Sequence, residues 1–108
     1  MHNVFRGGTP DMFYSGMRSM WIEWKWVPSL PKRGKTLIIP DLSGLQKLWL
    51  NGRFWEGRNV NVVVGSKDGC VVFVVPHQWI EGIARDEARV QSEKQIAEWI
   101  EYQCGSEP

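Results

Sequence analysis

The chain has 108 residues, 43 % of them apolar and seven of them tryptophan, a composition that excludes an intrinsically disordered protein and suits one domain with a single core. The longest apolar run, "VVFVV", is far short of the roughly 20 residues a bilayer-spanning helix needs, so no membrane association is expected. The net charge of +1 hides an asymmetry: residues 1–67 carry +6 and residues 68–108 carry −5, the pattern of a polyanion-binding face followed by an acidic element.

In chain order, "DMFYS" and "MWIEWKWV" read as two strands joined by a turn near Gly16. "PSLPKRGKTLIIP" (28–40) holds three prolines and a basic cluster and reads as a loop. "DLSGLQKLWLNG" places apolar residues at 42, 45, 48 and 49, which predicts a helix with that stripe inward, ending at Asn51-Gly52. "NVNVVVGS", "KDG" and "CVVFVV" form a second strand–turn–strand unit whose continuous apolar runs predict strands buried on both faces. From Asp86 to about Gln103 the pattern is helical, with Val90, Ile96, Trp99 and Ile100 inward. The expected fold is α/β (α+β): one domain over 1–108, a mixed central sheet flanked by helices, in the order β-β-α-β-β-α. The acidic helical element covers about 77–104. Cys70 and Cys104 show no metal-ligand spacing and are expected as reduced thiols of a cytoplasmic protein. The first residues lack the basic-then-apolar pattern of a secretory leader.

Three charged residues stand among the aromatics of the first hairpin: Asp11, Glu23 and Lys25. On a strand Glu23 and Lys25 share one face, while Ile22, Trp24 and Trp26 share the other. If residues 16–18 form the turn, Asp11 lies across from Glu23, and a one-residue slip would send it to the opposite face. Two carboxylates that close repel unless a cation sits between them; Mg²⁺, an oxygen-seeking ion, suits that place. Lys25 beside them would stabilise negative charge on a phosphate under attack rather than act as a base. The bland alternative is a solvated Glu–Lys pair on a half-exposed hairpin. Gln46 has two readings. It borders the helix's apolar stripe, where its amide would meet a bound water or phosphate, and Ser43-x-x-Gln46 is a capping box. One rotamer is not expected to serve both.

Gly8-Thr9-Pro10-Asp11, Glu23-Trp24-Lys25, "LSGLQKLWLNG" and "GRNVNVVVGS" together resemble the PD-(D/E)XK nuclease superfamily, and within it the virus-type replication-repair (VRR-NUC) branch. The resemblance covers about residues 7–66. It implies a restriction-endonuclease-like core and a Mg²⁺- or Mn²⁺-dependent endodeoxyribonuclease, phage-encoded and working in the host cytoplasm. The metal ligands would be Asp11, Glu23 and the backbone carbonyl of Trp24, with catalytic roles for Asp11, Glu23, Lys25 and Gln46. It also implies a homodimer acting on branched or structured DNA such as a Holliday junction. One feature departs from the pattern: an N-terminal helix with a further acid has no counterpart before Asp11. Glu81, Asp86 or Glu87, or a dimer partner, would have to replace it, or the site holds one metal. A non-catalytic DNA-binding or host-inhibiting protein on the same fold is the alternative reading.

Basic residues suited to phosphate contacts are Arg6, Arg18, Lys32, Arg33, Lys35 and Lys47. Asp41, in a second Pro-Asp, is placed at the helix entrance. His2 and His77 have no partners at a telling spacing. The tryptophans suit the core or a subunit interface, with stacking on unpaired bases as the alternative.

Overall fold

The fold is that of a computed structural model, which describes residues 12–14 and 18–105. A four-stranded mixed sheet has the order β1-β2-β4-β5, built from β1 (Met12–Tyr14), β2 (Met20–Trp26), β4 (Val60–Ser66) and β5 (Gly69–Phe73). β1–β2 and β4–β5 are antiparallel hairpins, and β2 and β4 run parallel at the centre. The parallel step needs a crossover, supplied by the chain between β2 and β4 that carries α1 (Gly44–Trp55). α1 and α2 (Pro76–Glu81) cover one face and α3 (Glu93–Cys104) the other.

β4 explains the two-sided burial. All seven of its residues are buried: Val60, Val62 and Val64 join Leu50 of α1 and Trp79 of α2, while Val63 joins Ile96 and Cys104 of α3. The expectation of a β-branched strand covered on both faces is met here. The alternation expected of β2 is met too. Met20 and Ile22 pack on the α3 side, with Trp24 beside them, and Trp21 packs on the α1 side. Both cysteines are free and buried.

Four expectations need correction. α1 does not stop at Asn51-Gly52 but runs to Trp55, because both residues sit inside the helix and Asn51 Oδ1 accepts the buried Trp79 Nε1–H at 2.9 Å. Its inward face is also different. Leu42 and Trp49 pack inward as expected, but Leu45 and Leu48 are 60 % and 71 % exposed, and Leu50 and Phe54 take the sheet-facing places instead. Periodicity marks apolar positions, but the helix carries two apolar arcs and only packing selects between them.

The loop 28–40 contains a strand, β3 (Leu37–Ile38), paired with β6 (Ile83–Ala84) in a second, two-stranded sheet. The acidic region is likewise not one helix from Asp86. α2 ends at Gly82, whose φ of +91° is a conformation other residues rarely adopt; β6 follows, and Gln91 bridges to Cys70 before α3 starts. Ser92 and Gln95 form the capping box that sets that late start. Among the described residues no helix is long and apolar enough to cross a membrane.

Candidate active site

β2 brings Glu23 and Lys25 to the α1 side of the sheet, opposite Val62 and Val64 of β4. Glu23 is 2 % exposed. A buried carboxylate costs several kcal/mol of lost hydration unless donors and opposite charge replace the water. Two groups do so on the same oxygen: Gln46 Nε2 donates to Glu23 Oε2 at 2.9 Å, and Lys25 Nζ lies 3.5 Å from it. The amide comes from the first turn of α1, whose unpaired N–H groups place partial positive charge at that end of the helix.

Gln46 makes the capping box and, through the other end of its amide, a bond to Glu23. Its Oε1 accepts the Ser43 backbone N–H at 2.9 Å while its Nε2 reaches Glu23, and the Gln46 backbone N–H donates to Ser43 Oγ at 3.1 Å. Because the amide has two ends, the rotamer that caps the helix also points its donor toward the sheet. A glutamate at that position could cap the helix but could not donate to Glu23.

Lys25 keeps 27 % of its side chain exposed and lines a cleft of about 360 Å³ with Ile39, Pro40 and Asp41. Asp41 therefore faces the same opening as Lys25, two residues before the helix cap. The second Pro-Asp was the sequence signal for it, but local order placed it only at the helix entrance. The β3 segment also lines the cleft, through Leu37 and Ile38.

The peptide groups of β2 are oriented by two hydrogen bonds. Trp21 N–H donates to Asn59 O at 2.8 Å and Val27 N–H to Gly65 O at 2.9 Å, so odd-numbered residues face β4 and the Trp24 carbonyl faces the β1 side. The β1–β2 pairing is Met12 with Ile22, Phe13 with Trp21 and Tyr14 with Met20. This is the register that an Asp11–Glu23 juxtaposition requires. Asp11 lies outside the described residues, as do Arg6, His2 and Gly16. Among the described residues no three His, Cys, Asp or Glu side chains come together. Of the acids considered as replacements, Glu81 lies 3.4 Å from His77 Nδ1 and Asp86 3.9 Å from Lys35 Nζ, each with its own neighbour. Glu87 is exposed in the turn after β6.

The basic residues divide. Lys32, Arg33 and Lys35 are exposed on the loop before β3, and Lys47 follows Gln46 on α1. Arg18 belongs to the other side of the sheet: its N–H donates to Cys104 O at 2.9 Å and its guanidinium to Tyr102 O at 3.3 Å, closing the C-terminal turn of α3. On the α1 side, Phe13, Trp21 and Trp49 form a chain of ring contacts with centroids 4.4 and 5.3 Å apart, and Arg53 lies over Trp49. Trp79 and Trp49 are thus core residues, whereas Trp26 and Trp55 are exposed.

Compared with protein-family models, with curated proteins and with solved structures, the chain finds no match. The class that fold and site define is accordingly the coarse one: an α+β protein with a mixed four-stranded sheet between helices, bearing a Glu–Gln–Lys cluster around the buried Glu23 at the start of α1.

Proposed function

We propose that the chain is a metal-dependent DNA endonuclease of the PD-(D/E)XK type with a restriction-endonuclease-like core, acting as a homodimer on branched or structured DNA. The observation that carries the reading is the cluster itself: Glu23, Lys25 and Gln46, from a strand and the next long helix, converge on one carboxylate oxygen beside an open cleft. Glu23 and the Trp24 carbonyl are hard oxygen donors of the kind Mg²⁺ or Mn²⁺ takes, and Asp11 would complete the set. A bound divalent ion would supply an activated water and neutralise phosphate charge. Lys25, partly exposed at the cleft, would hold a phosphate oxygen and stabilise its growing charge, and Gln46 would keep the Glu23 carboxylate aimed. The exposed Lys32, Arg33 and Lys35 would contact the DNA backbone without reading sequence.

The test is nicking of a four-way junction in Mg²⁺ and in Mn²⁺. Cleavage that needs the ion and falls at least about 100-fold in Glu23→Ala and Lys25→Ala is expected; unchanged cleavage in those variants overturns the assignment. One observation favours a second reading. Glu23 Oε2 already takes both Gln46 and Lys25, so the cluster is internally satisfied on that oxygen. A non-catalytic DNA-binding protein on the same fold would bind DNA in a salt-dependent way and cut it with neither ion.

A further inference from the structure

The α3 side of the sheet carries a site of opposite chemistry. Trp26, at the end of β2, is 66 % exposed yet firmly seated: a Cβ added to Gly65, its register partner on β4, would lie 2.6 Å from the indole Cε3 and Cζ3. The ring thus rests on bare glycine backbone and leaves most of its surface outward. Beside it opens a cleft of about 400 Å³ walled by Tyr14, Trp24, Ile96 and Ile100, with Glu93 and Glu101 among its lining. Trp24 Nε1 donates to the Tyr14 hydroxyl at 3.3 Å, which ties those two rings together. A second cleft of about 530 Å³ continues past Trp26 and Glu93 along the β4–β5 turn, where Asp68 and Lys67 contribute.

Acids outnumber cations around this trough: Glu93, Glu101 and Asp68 line the two clefts against Lys67, and α3 bears Glu93, Glu98 and Glu101 against Lys94, with Arg18 at its C-terminal turn. Cys70 lines the first cleft, and burial, then the charge of Glu93, hold its thiol pKa above the ordinary value. Aromatic faces with carboxylates at the rim attract cations, whose apolar stems lie along the wall while the charged head meets the acid. Nucleic acid and anionic lipid are repelled by the same charges. Two adjoining clefts that share Trp26 and Glu93 exceed what one side chain fills, which fits an extended segment.

We propose that this trough binds an extended basic segment of another protein, with an arginine or lysine head over Trp26 and against Glu93. Glu93 and Trp24 lie on the opposite sheet face from Glu23, Trp26 at the strand end also borders the Lys25 cleft, and the proposal does not depend on the nuclease reading.

The test is calorimetric titration of the intact protein with capped tetra-arginine, tetra-alanine and tetra-glutamate peptides, without metal or DNA. Tetra-arginine alone is expected to bind. Trp26→Ala and Glu93→Gln should each weaken it by about three- to tenfold, Glu93→Lys should weaken it further, and Lys25→Ala should leave it unchanged. Thermal melts confirm that each variant is folded, which the exposed positions Trp26 and Glu93 should allow. Absence of tetra-arginine binding, equal binding by Glu93→Lys, or equal binding of tetra-alanine overturns the proposal. Loss of DNA cleavage in Lys25→Ala with peptide binding intact separates this site from the one on the α1 side.

Discussion

Replacing Gln46 by alanine removes two things at once, and their sizes follow from the contacts. The Nε2 donor to the buried Glu23 carboxylate is a hydrogen bond to a charged group, worth about 1.5–3 kcal/mol when deleted. The Oε1 acceptor of the Ser43 N–H is one arm of a capping box on an exposed helix start, worth about 0.5–1 kcal/mol. Gln46→Ala should therefore lose about 2–4 kcal/mol. Ser43→Ala, which removes only the other arm of the cap, should lose about 1 kcal/mol. Gln46→Glu keeps a capping acceptor but sets a second carboxylate against Glu23, so at neutral pH it should be at least as unstable as Gln46→Ala. Urea unfolding followed by tryptophan fluorescence measures all three. A loss in Gln46→Ala no larger than in Ser43→Ala, or a wild-type midpoint in Gln46→Glu, would show that the bond to Glu23 contributes nothing.

Gly82→Ala should lose at least about 2 kcal/mol, since the backbone there is strained for any Cβ and the new atom would lie 2.5 Å from Ile39 Cγ1 and 2.9 Å from Ile38 O; a melting temperature within a degree of wild type would contradict this. Asn51→Ala leaves the fully buried Trp79 indole N–H without its acceptor and should cost about 1–3 kcal/mol in urea unfolding, where Asn51→Asp should cost less. The raised Cys70 pKa means the unfolded thiol ionises first, so its contribution to stability is present below the unfolded value and is lost as pH rises through it. Cys70→Ala should therefore show a smaller fall in urea midpoint between about pH 8 and 10 than wild type; equal falls would refute the linkage. Glu56 is held below the usual carboxylate range by hydrogen bonds from Arg53 and then Arg58, so whatever stability it adds is present at neutral pH and fades as acid protonates it. Glu56→Gln should flatten the acid limb of the stability curve slightly.

Much of the architecture was legible because it rests on local signals. The two aromatic and valine-rich hairpins, the alternation that separates Glu23 and Lys25 from Ile22 and Trp24, and the Ser43–Gln46 cap are written in spacings of two to four residues. A strand's period and a helix cap act over that range, so sequence alone can state them. What tertiary contact decided lies further apart. Leu45 and Leu48 point outward because the sheet takes Leu50 and Phe54 in their place; β3 exists because residues 83–84 come to pair with it; and Gln46 points one end of its amide at Glu23 because α1 crosses over β2. Burial and pairing between residues 20 or more positions apart are set by which surfaces meet in the crossover, and a linear pattern carries no record of that meeting.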